Sequence, residues 1–466
     1  MHSIPQRTRF LLASGVVLVV VFVYNSWVLD PRHFFYADDW GWLTRSQFAG
    51  GGWLLHLLPH RIYNDRPGGG FIIKFMYEGF GLRYEPYNLL WLLIHVANCG
   101  ILLLIARTVM APARAMLAAL LAGCWSSTLT AAAWIGGVFD LVGATWCLLA
   151  LLLYIHAARR HRGATALMLG ALVFHVVAIR TKEFALALIV LLAVWDWLLL
   201  EAPGWRARLR RLAPHAAITA IYVAVYLYFY LVNRPTVVVS GAYQVSISAG
   251  TVVENLAYYL TTAFYLRDMV TFQGLWIAGL IITLLAVAAS LFSRVGRASL
   301  VAAISLLAVV LLLGNQRSPL YLYAPHFFLA LALCSTRMTS KLATALTTFF
   351  VCLLVAWPWH TRSVQNGRNF VLSNGAYSQG LFDDYKRIMQ DQPPPTQVTI
   401  AVTRPYFDPF TFGSRKLGPG DALRIYYRDE SIKVDVIKEQ AGLDDPCATV
   451  VGPCLRERSG HLVRVK

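Results

Sequence analysis

The sequence predicts an all-α polytopic membrane protein of about 11 transmembrane helices with a small C-terminal extracytoplasmic α/β domain. Three observations carry this. The 466 residues are 57% hydrophobic and only 14% charged, with a mean hydropathy of +0.55, outside soluble-globular averages. Membrane-length apolar windows recur along the first three quarters of the chain. Short basic clusters fall at every second boundary between those windows.

Windows of about 20 residues give candidate spans at roughly 10–29, 87–106, 112–128, 134–155, 164–179, 184–200, 213–232, 272–292, 298–313, 320–336 and 341–357. The first resembles a signal peptide at its start, where Arg7 and Arg9 precede the apolar run. It lacks a small-residue cleavage site and continues to Trp27, so it is read as a retained helix. Several later spans are short and are expected to tilt, kink or borrow loop residues.

The basic clusters orient these spans. Arg7 and Arg9, Arg107 and Arg114, Arg159 to Arg162, Arg206 to Arg211, Arg294 and Arg297, and Arg337 with Lys341 all fall on one side, which the excess of cations makes cytoplasmic. Residues 30–86, 233–271 and the tail then face outward. The net charge of +17 is accounted for by this distribution, and nucleic acid is not an expected partner. The expected setting is a bacterial inner membrane, with a cytoplasmic N-terminus and a periplasmic tail.

Residues 1–357 are read as the membrane catalytic domain, with the external loop 30–86 carrying interfacial helices, and 358–466 as the small external domain. In the tail, a helix is expected around Tyr377 to Met389, and alternation in Gln397 to Val402 and Leu423 to Tyr427 reads as strands. Five cysteines lie in apolar spans. Cys447 and Cys454 lie in the tail, on the side predicted to be oxidising, and are expected to form a disulfide.

Candidate chemistry begins with Phe34-Phe35-Tyr36-Ala37-Asp38-Asp39-Trp40, followed by an amphipathic stretch from Trp42 to Leu58. An apolar face with Trp and His suits helices in the membrane interface, which would hold both aspartates at headgroup depth. The bland alternative makes Asp38 a helix cap and Asp39 a first-turn residue. Adjacent like charges on an apolar rim fit packing less well, and Arg66 is expected to organise the pair. Asp140, about six residues into the fourth span, needs a partner or a cavity. Arg180 and Lys182 suit a lipid-linked phosphate, and Glu183 either pairs with them or contributes to the site. Arg317 is a further phosphate candidate, and Tyr321 lies beside it at the mouth of the tenth span.

These motifs together resemble those of the GT-C superfamily of polytopic glycosyltransferases, and in particular the membrane portion of transmembrane O-mannosyltransferases with tetratricopeptide tails. Tyr36-Ala37-Asp38-Asp39-Trp40 resembles the acidic pair of that family's first external loop, and Asp65-Arg66-Pro67 its Tyr-Arg-Pro motif. Glu85-Pro86-Tyr87-Asn88, with His95 and Asn98, resembles its Pro-x-x-His/Asn entry to the second span. Thr130 to Leu141 resembles its Glu-Ala-Val-Ala-Trp-Ile-x-x-Arg-x-Asp-Leu segment, with Thr130 and Val138 replacing polar or charged residues. Thr181-Lys182-Glu183 resembles its Ser-Lys-Glu, and Tyr321-Leu322-Tyr323-Ala324-Pro325 its Tyr-Leu-Tyr-Leu-Pro. The tetratricopeptide repeats themselves are absent.

The resemblance implies inverting transfer of a sugar from a polyprenyl-phosphate donor to an extracytoplasmic acceptor, which is a lipid, glycan or protein. Asp38 is then the expected base, Asp39 its orienting neighbour, and the cations the cradle for the leaving phosphate. A divalent metal is compatible with two carboxylates and a phosphate, but no full ligand set is visible, so none is assigned. A transporter or flippase of a lipid-linked or anionic substrate is the alternative. It would use the same buried charges but calls for paired repeats and gates in both leaflets. The charge pattern makes one direct prediction. Cysteines introduced at Ser240 or Asn374 will react with an impermeant thiol reagent in intact cells, and one at Ala202 will not; the reverse pattern would move the acidic pair to the cytoplasm.

Overall fold

A computed structural model describes residues 5–48, 66–125, 129–160, 162–201, 204–233, 244–264, 284, 287–335, 370–402, 417–418, 420–438, 445, 447–448, 450, 452–458 and 461–466. Its membrane portion is helical. The elements are α1 Gln6–Asn25, α2 Asp38–Phe48, α3 Pro67–Phe80, α4 Glu85–Arg107, α5 Pro112–Gly123, α6 Leu129–Ala133, α7 Val138–Arg159, α8 Ala164–Ile179, α9 Leu188–Leu199, α10 Trp205–Asn233, α11 Ala249–Ala263, α12 Arg294–Leu311 and α13 Tyr323–Cys334. Proline within the first turn starts α3, α4 and α5, where a missing N–H costs nothing. Serine hydroxyls accept from backbone N–H groups at the starts of α11 and α12.

Eleven spans were expected; among the described residues four stretches are long and apolar enough to cross a bilayer: Gln6–Leu29, Glu85–Arg107, Ile135–Arg159 and Arg294–Leu311. Shorter apolar helices lie at Pro112–Gly123, Ala164–Ile179 and Pro319–Cys334. Of the other expected spans, 112–128, 164–179, 184–200 and 320–336 fall on helices of 12 to 16 residues, two of them entered through 3₁₀ turns at Glu183–Ala187 and Pro319–Leu322, and 213–232 lies within α10. The eleventh expected span, most of the eighth, residues 49–65 and the Arg337 and Lys341 cluster lie outside the described residues.

The stretch ending in α7 is the most enclosed of the four, and α1 the least; Leu11, Leu12, Val16, Val19 and Val23 of α1 are exposed. This is the pattern of a central helix and a peripheral, lipid-facing one.

The tail folds around a four-stranded sheet in the order β2-β1-β3-β4, with β1 Gln397–Val402, β2 Lys433–Lys438, β3 Cys454–Arg458 and β4 His461–Arg464. β1 runs parallel to β2 and β3, and β4 closes the edge antiparallel to β3. Helix α14, Phe370–Met389, precedes the sheet. Cys447 and Cys454 are bonded, with their Cα atoms 5.6 Å apart, which anchors the preceding loop to the first residue of β3. Leu423 to Tyr427, expected as a strand, is instead part of helix α15, Asp421–Tyr427. Five alternating residues do not distinguish the two periods. Two left-handed glycines, Gly418 and Gly420, start the helix, Asp421 pairs with Arg424 one turn on, and a left-handed Arg428 closes it.

The tail is seated on α2. The Trp40 indole N–H donates to Ser378 Oγ at 3.2 Å, Phe382 lies 5.1 Å from the Trp40 ring, and the Thr44 hydroxyl reaches the Asp421 carbonyl at 3.4 Å. The buried core runs continuously from the bundle through Phe35 and Trp40 into Leu381, Phe382, Leu423 and Leu455. Gly375 of α14 is required at this seam. A Cβ there would stand 2.9 Å from the backbone N and O of Phe34. Gly375→Ala should therefore cost about 1–3 kcal/mol and lower the melting temperature; unchanged melting would show that the tail is not seated against the segment leading to Asp38.

Candidate functional site

The two adjacent aspartates open α2 and face different ways. Ala37, just before them, has φ +52°, a left-handed conformation that is uncommon for a residue with a Cβ. Asp38 follows with an exposed side chain. Asp39, rotated by about 100° on the helix, is fully buried. Its Oδ2 accepts from the Tyr36 N–H at 3.2 Å and its Oδ1 from the Gly136 N–H at 2.9 Å. Burial pushes the Asp39 carboxyl well above the ordinary range, despite these two donors.

The Gly136 turn fits this role because it has no space for side chains. A Cβ on Gly136 would meet the Trp134 ring at 2.8 Å, and one on Gly137 would meet the Ala131 carbonyl at 2.2 Å. Asp39 thus clamps α2 to the entrance of α7. Trp42, four residues after Asp38 and so on the same helix face, lies 4.2 Å from the Phe139 ring. Arg45 covers the Trp42 ring at 5.0 Å.

Phe139 carries the connection inward. The Arg66 guanidinium sits 5.6 Å over its ring and pairs with Glu183 Oε1 at 2.7 Å through Nη2 and 2.9 Å through Nε. Beside it Lys182 Nζ lies 3.0 Å from Asp140 Oδ2 and 5.4 Å above the Tyr321 ring. Lys182 and Asp140 are both buried. The Arg180 guanidinium is nearby, next to the Tyr222 hydroxyl of α10. Three cations and two carboxylates leave this group with one net positive charge.

Local sequence explains how the group is assembled. α8 ends at Ile179, and the chain turns through 180–182 before the 3₁₀ segment that leads to α9. The glycines after Pro67 let α3 approach this turn directly. A Cβ on Gly68 would fall 1.9 Å from Thr181 Oγ1, and one on Gly69 would fall 2.4 Å from the Phe139 ring. The Gly68 N–H meanwhile donates to the Arg180 carbonyl at 3.4 Å.

The structure therefore gathers Arg66, Asp140, Arg180, Lys182, Glu183 and Tyr321, and Phe139 links Arg66 to Trp42, one turn beyond Asp38 on α2. Two of the expected residues have partners that the sequence did not indicate. Arg66, expected to organise the acidic pair, is bonded to Glu183, because the start of α3 is held against the 180–182 turn. Asp140 is the third residue of α7 and the sixth of the apolar stretch Ile135–Arg159, as expected. Arg317, expected at the phosphate, reaches Glu254 at 2.8 Å and Asn255 at 2.7 Å, joining α11 to the strand-like segment after α12. Phe139 and Tyr222 were not singled out from sequence; each is one aromatic among many in apolar helices. Trp42 carried a signal in its spacing from Asp38. Among the described residues, no group of three His, Cys, Asp or Glu side chains comes together to hold a metal ion.

Comparison with known proteins adds the fold. The crystal structure of ArnT from Cupriavidus metallidurans in the apo state is similar with a TM-score of 0.51 and 18% identity, over 92% of this chain and 86% of that one. The same protein bound to undecaprenyl phosphate gives a TM-score of 0.50 and 17% identity, over 94% and 87%. No protein-family model and no curated protein matches the chain. The chain thus shares its fold with ArnT.

The geometry separates the two aspartates in a measurable way. In Asp39→Asn an amide N–H₂ must face one of two backbone N–H donors, so the variant should lose about 1–3 kcal/mol of stability. Asp38→Asn should melt like the wild type. Equal melting temperatures for the two variants would contradict the clamp assigned to Asp39.

Proposed function

We propose that this chain is an inverting glycosyltransferase that moves a sugar from a polyprenyl-phosphate donor to the hydroxyl of an extracytoplasmic lipid, glycan or protein acceptor. One observation carries the reading. An exposed carboxylate, Asp38, stands one helical turn before Trp42, whose ring packs on Phe139 beside a buried group rich in cations. The fold shared with ArnT, one structure of which holds undecaprenyl phosphate, supports it. So does the ordered set of motifs resembling the O-mannosyltransferases.

In this reading Asp38 accepts the proton of the acceptor hydroxyl as its oxygen bonds to the anomeric carbon. The bond from that carbon to the phosphate oxygen breaks on the opposite face, and the electron pair leaves with the phosphate, inverting the centre. Lys182, with Arg180 and Arg66, stabilises the charge on the departing polyprenyl phosphate. Lys182 can do so because its contact with Asp140 is a single charge contact. Asp140 Oδ1, the oxygen away from Lys182, has no hydrogen-bonding partner among the described residues, so a sugar hydroxyl can donate to it. Asp39 acts through α2, holding Asp38 at the rim.

Residues 1–357 form the catalytic membrane domain and 358–466 the external domain, with Asp38 and the tail on the periplasmic side of a bacterial inner membrane. The deciding experiment incubates purified protein with polyprenyl-phosphate sugars and measures release of polyprenyl phosphate. The wild type should release it with at least one sugar, and Asp38→Asn should bind the same donor but turn over roughly 100-fold more slowly or worse. Near wild-type turnover in Asp38→Asn would return that residue to capping α2, and no release with any donor would remove the enzymatic reading.

A further inference from the structure

Beneath the ion-pair group lies a buried polar chain that the reaction described above does not use. It begins at Gly123, whose carbonyl can only accept. His95 Nε2, 3.0 Å away, therefore carries its proton, which leaves Nδ1 as an acceptor. The Tyr323 hydroxyl, 2.9 Å from Nδ1, donates to it. The Tyr323 oxygen in turn accepts from Asn98 Nδ2 at 3.1 Å, and the same amide nitrogen donates to the Leu141 carbonyl at 3.0 Å. Asn98, His95 and Tyr323 are fully buried. The direction of every bond follows from the two backbone carbonyls at the ends.

The placement of Asn98 has a specific consequence. Lys182 is held by two contacts, the Asp140 carboxylate and the Tyr321 ring. Leu141 follows Asp140 in α7, and Tyr323 is two residues beyond Tyr321, at the start of α13. One amide thus bonds to the backbone next to Asp140 and to the side-chain hydroxyl of Tyr323, two residues beyond Tyr321. It ties the entrance of α7 to the entrance of α13 at the depth where the lysine sits. In apolar surroundings the alternative to these bonds is an unpaired carbonyl and hydroxyl, so they hold their geometry.

We propose that Asn98 is a positioning residue for the donor phosphate, acting through Asp140 and Tyr321 on the Lys182 ammonium. The inference rests on the reading of Lys182 as a phosphate ligand. It predicts that loss of the Asn98 amide frees Asp140 and Tyr321 to shift relative to each other, so that Lys182 no longer meets the phosphate.

A double-mutant cycle tests it, with equilibrium binding of undecaprenyl phosphate to the purified full chain as the readout. Asn98→Ala should weaken binding roughly tenfold in the wild-type background, the scale of a displaced charge-assisted contact. It should have no further effect on top of Lys182→Ala. Tyr323→Phe keeps the ring and removes the oxygen that takes the amide's bond, together with the donor to His95, so it should act in the same direction and vanish in the same background; it decides the matter alone if Asn98→Ala does not fold. Melting temperature serves as the control, because a merely structural loss appears equally in both backgrounds. Additive losses, or full binding in Asn98→Ala and Tyr323→Phe while Lys182→Ala is impaired, would overturn the inference alone. Full binding in Lys182→Ala would overturn both it and the phosphate role of Lys182.

Discussion

The site is organised by the constraint that a charge inside an apolar bundle must find a partner. Asp140 enters at the first turn of the most enclosed helix, and the cost of leaving a carboxylate there alone exceeds what the surrounding packing can offset. Lys182 meets that need from the turn after α8, which draws Glu183 and Arg66 together beside it. The same rule acts elsewhere in the bundle with a different result. Asp196 of α9 accepts from Arg211 at 2.6 and 3.0 Å and from the Tyr154 hydroxyl, so both its oxygens are occupied and α7, α9 and α10 are joined. Asp140 is paired at Oδ2 by Lys182 alone, and its Oδ1 has no partner among the described residues. The two buried aspartates thus differ in the number of donors each has been given.

A second dependency joins the membrane portion to the tail. α2 is too short and too polar to be stable alone, and it is held between two surfaces. On one side Asp39 bonds to the Gly136 turn and Trp42 meets Phe139. On the other, Trp40 meets Ser378 and Phe382, and Thr44 meets the start of α15. The exposed carboxylate of Asp38 is therefore positioned by both parts of the chain. The tail's core is continuous with that of the bundle, which explains how a segment with few large apolar residues is folded.

Much of this was legible in the sequence because the relevant signals are local. Apolar length located the helices, with α8 falling on 164–179 as expected, and β1 fell on Gln397 to Val402. Composition marked the tail as a different material, and the rarity of charge in apolar surroundings picked out Asp140, Lys182 and Glu183. Local signals also misled. Leu423 to Tyr427 alternates over a span too short to distinguish a strand from a helix, and the glycine turn before it decided for the helix. Apolar windows near 135, 184 and 320 included 3₁₀ turns, which hydropathy does not register.

The sequence by itself determined where most of the helices and strand β1 lie, where the charges fall along them, and that Asp38 and Asp39 follow the first apolar stretch. The tertiary structure decided which carboxylate faces outward, that Arg66 joins Glu183 rather than the acidic pair, that Arg317 is held by α11, and that Asn98 lies beneath Lys182. The reason is physical. The position of a side chain along a helix is fixed by counting residues, but its partner depends on the rotation and depth of a second helix, and these are set by packing among segments distant in the chain. Glycines at 68, 69, 136 and 137 show the point: each reads as a flexible residue in sequence, and each is required where another element comes closer than a Cβ would allow.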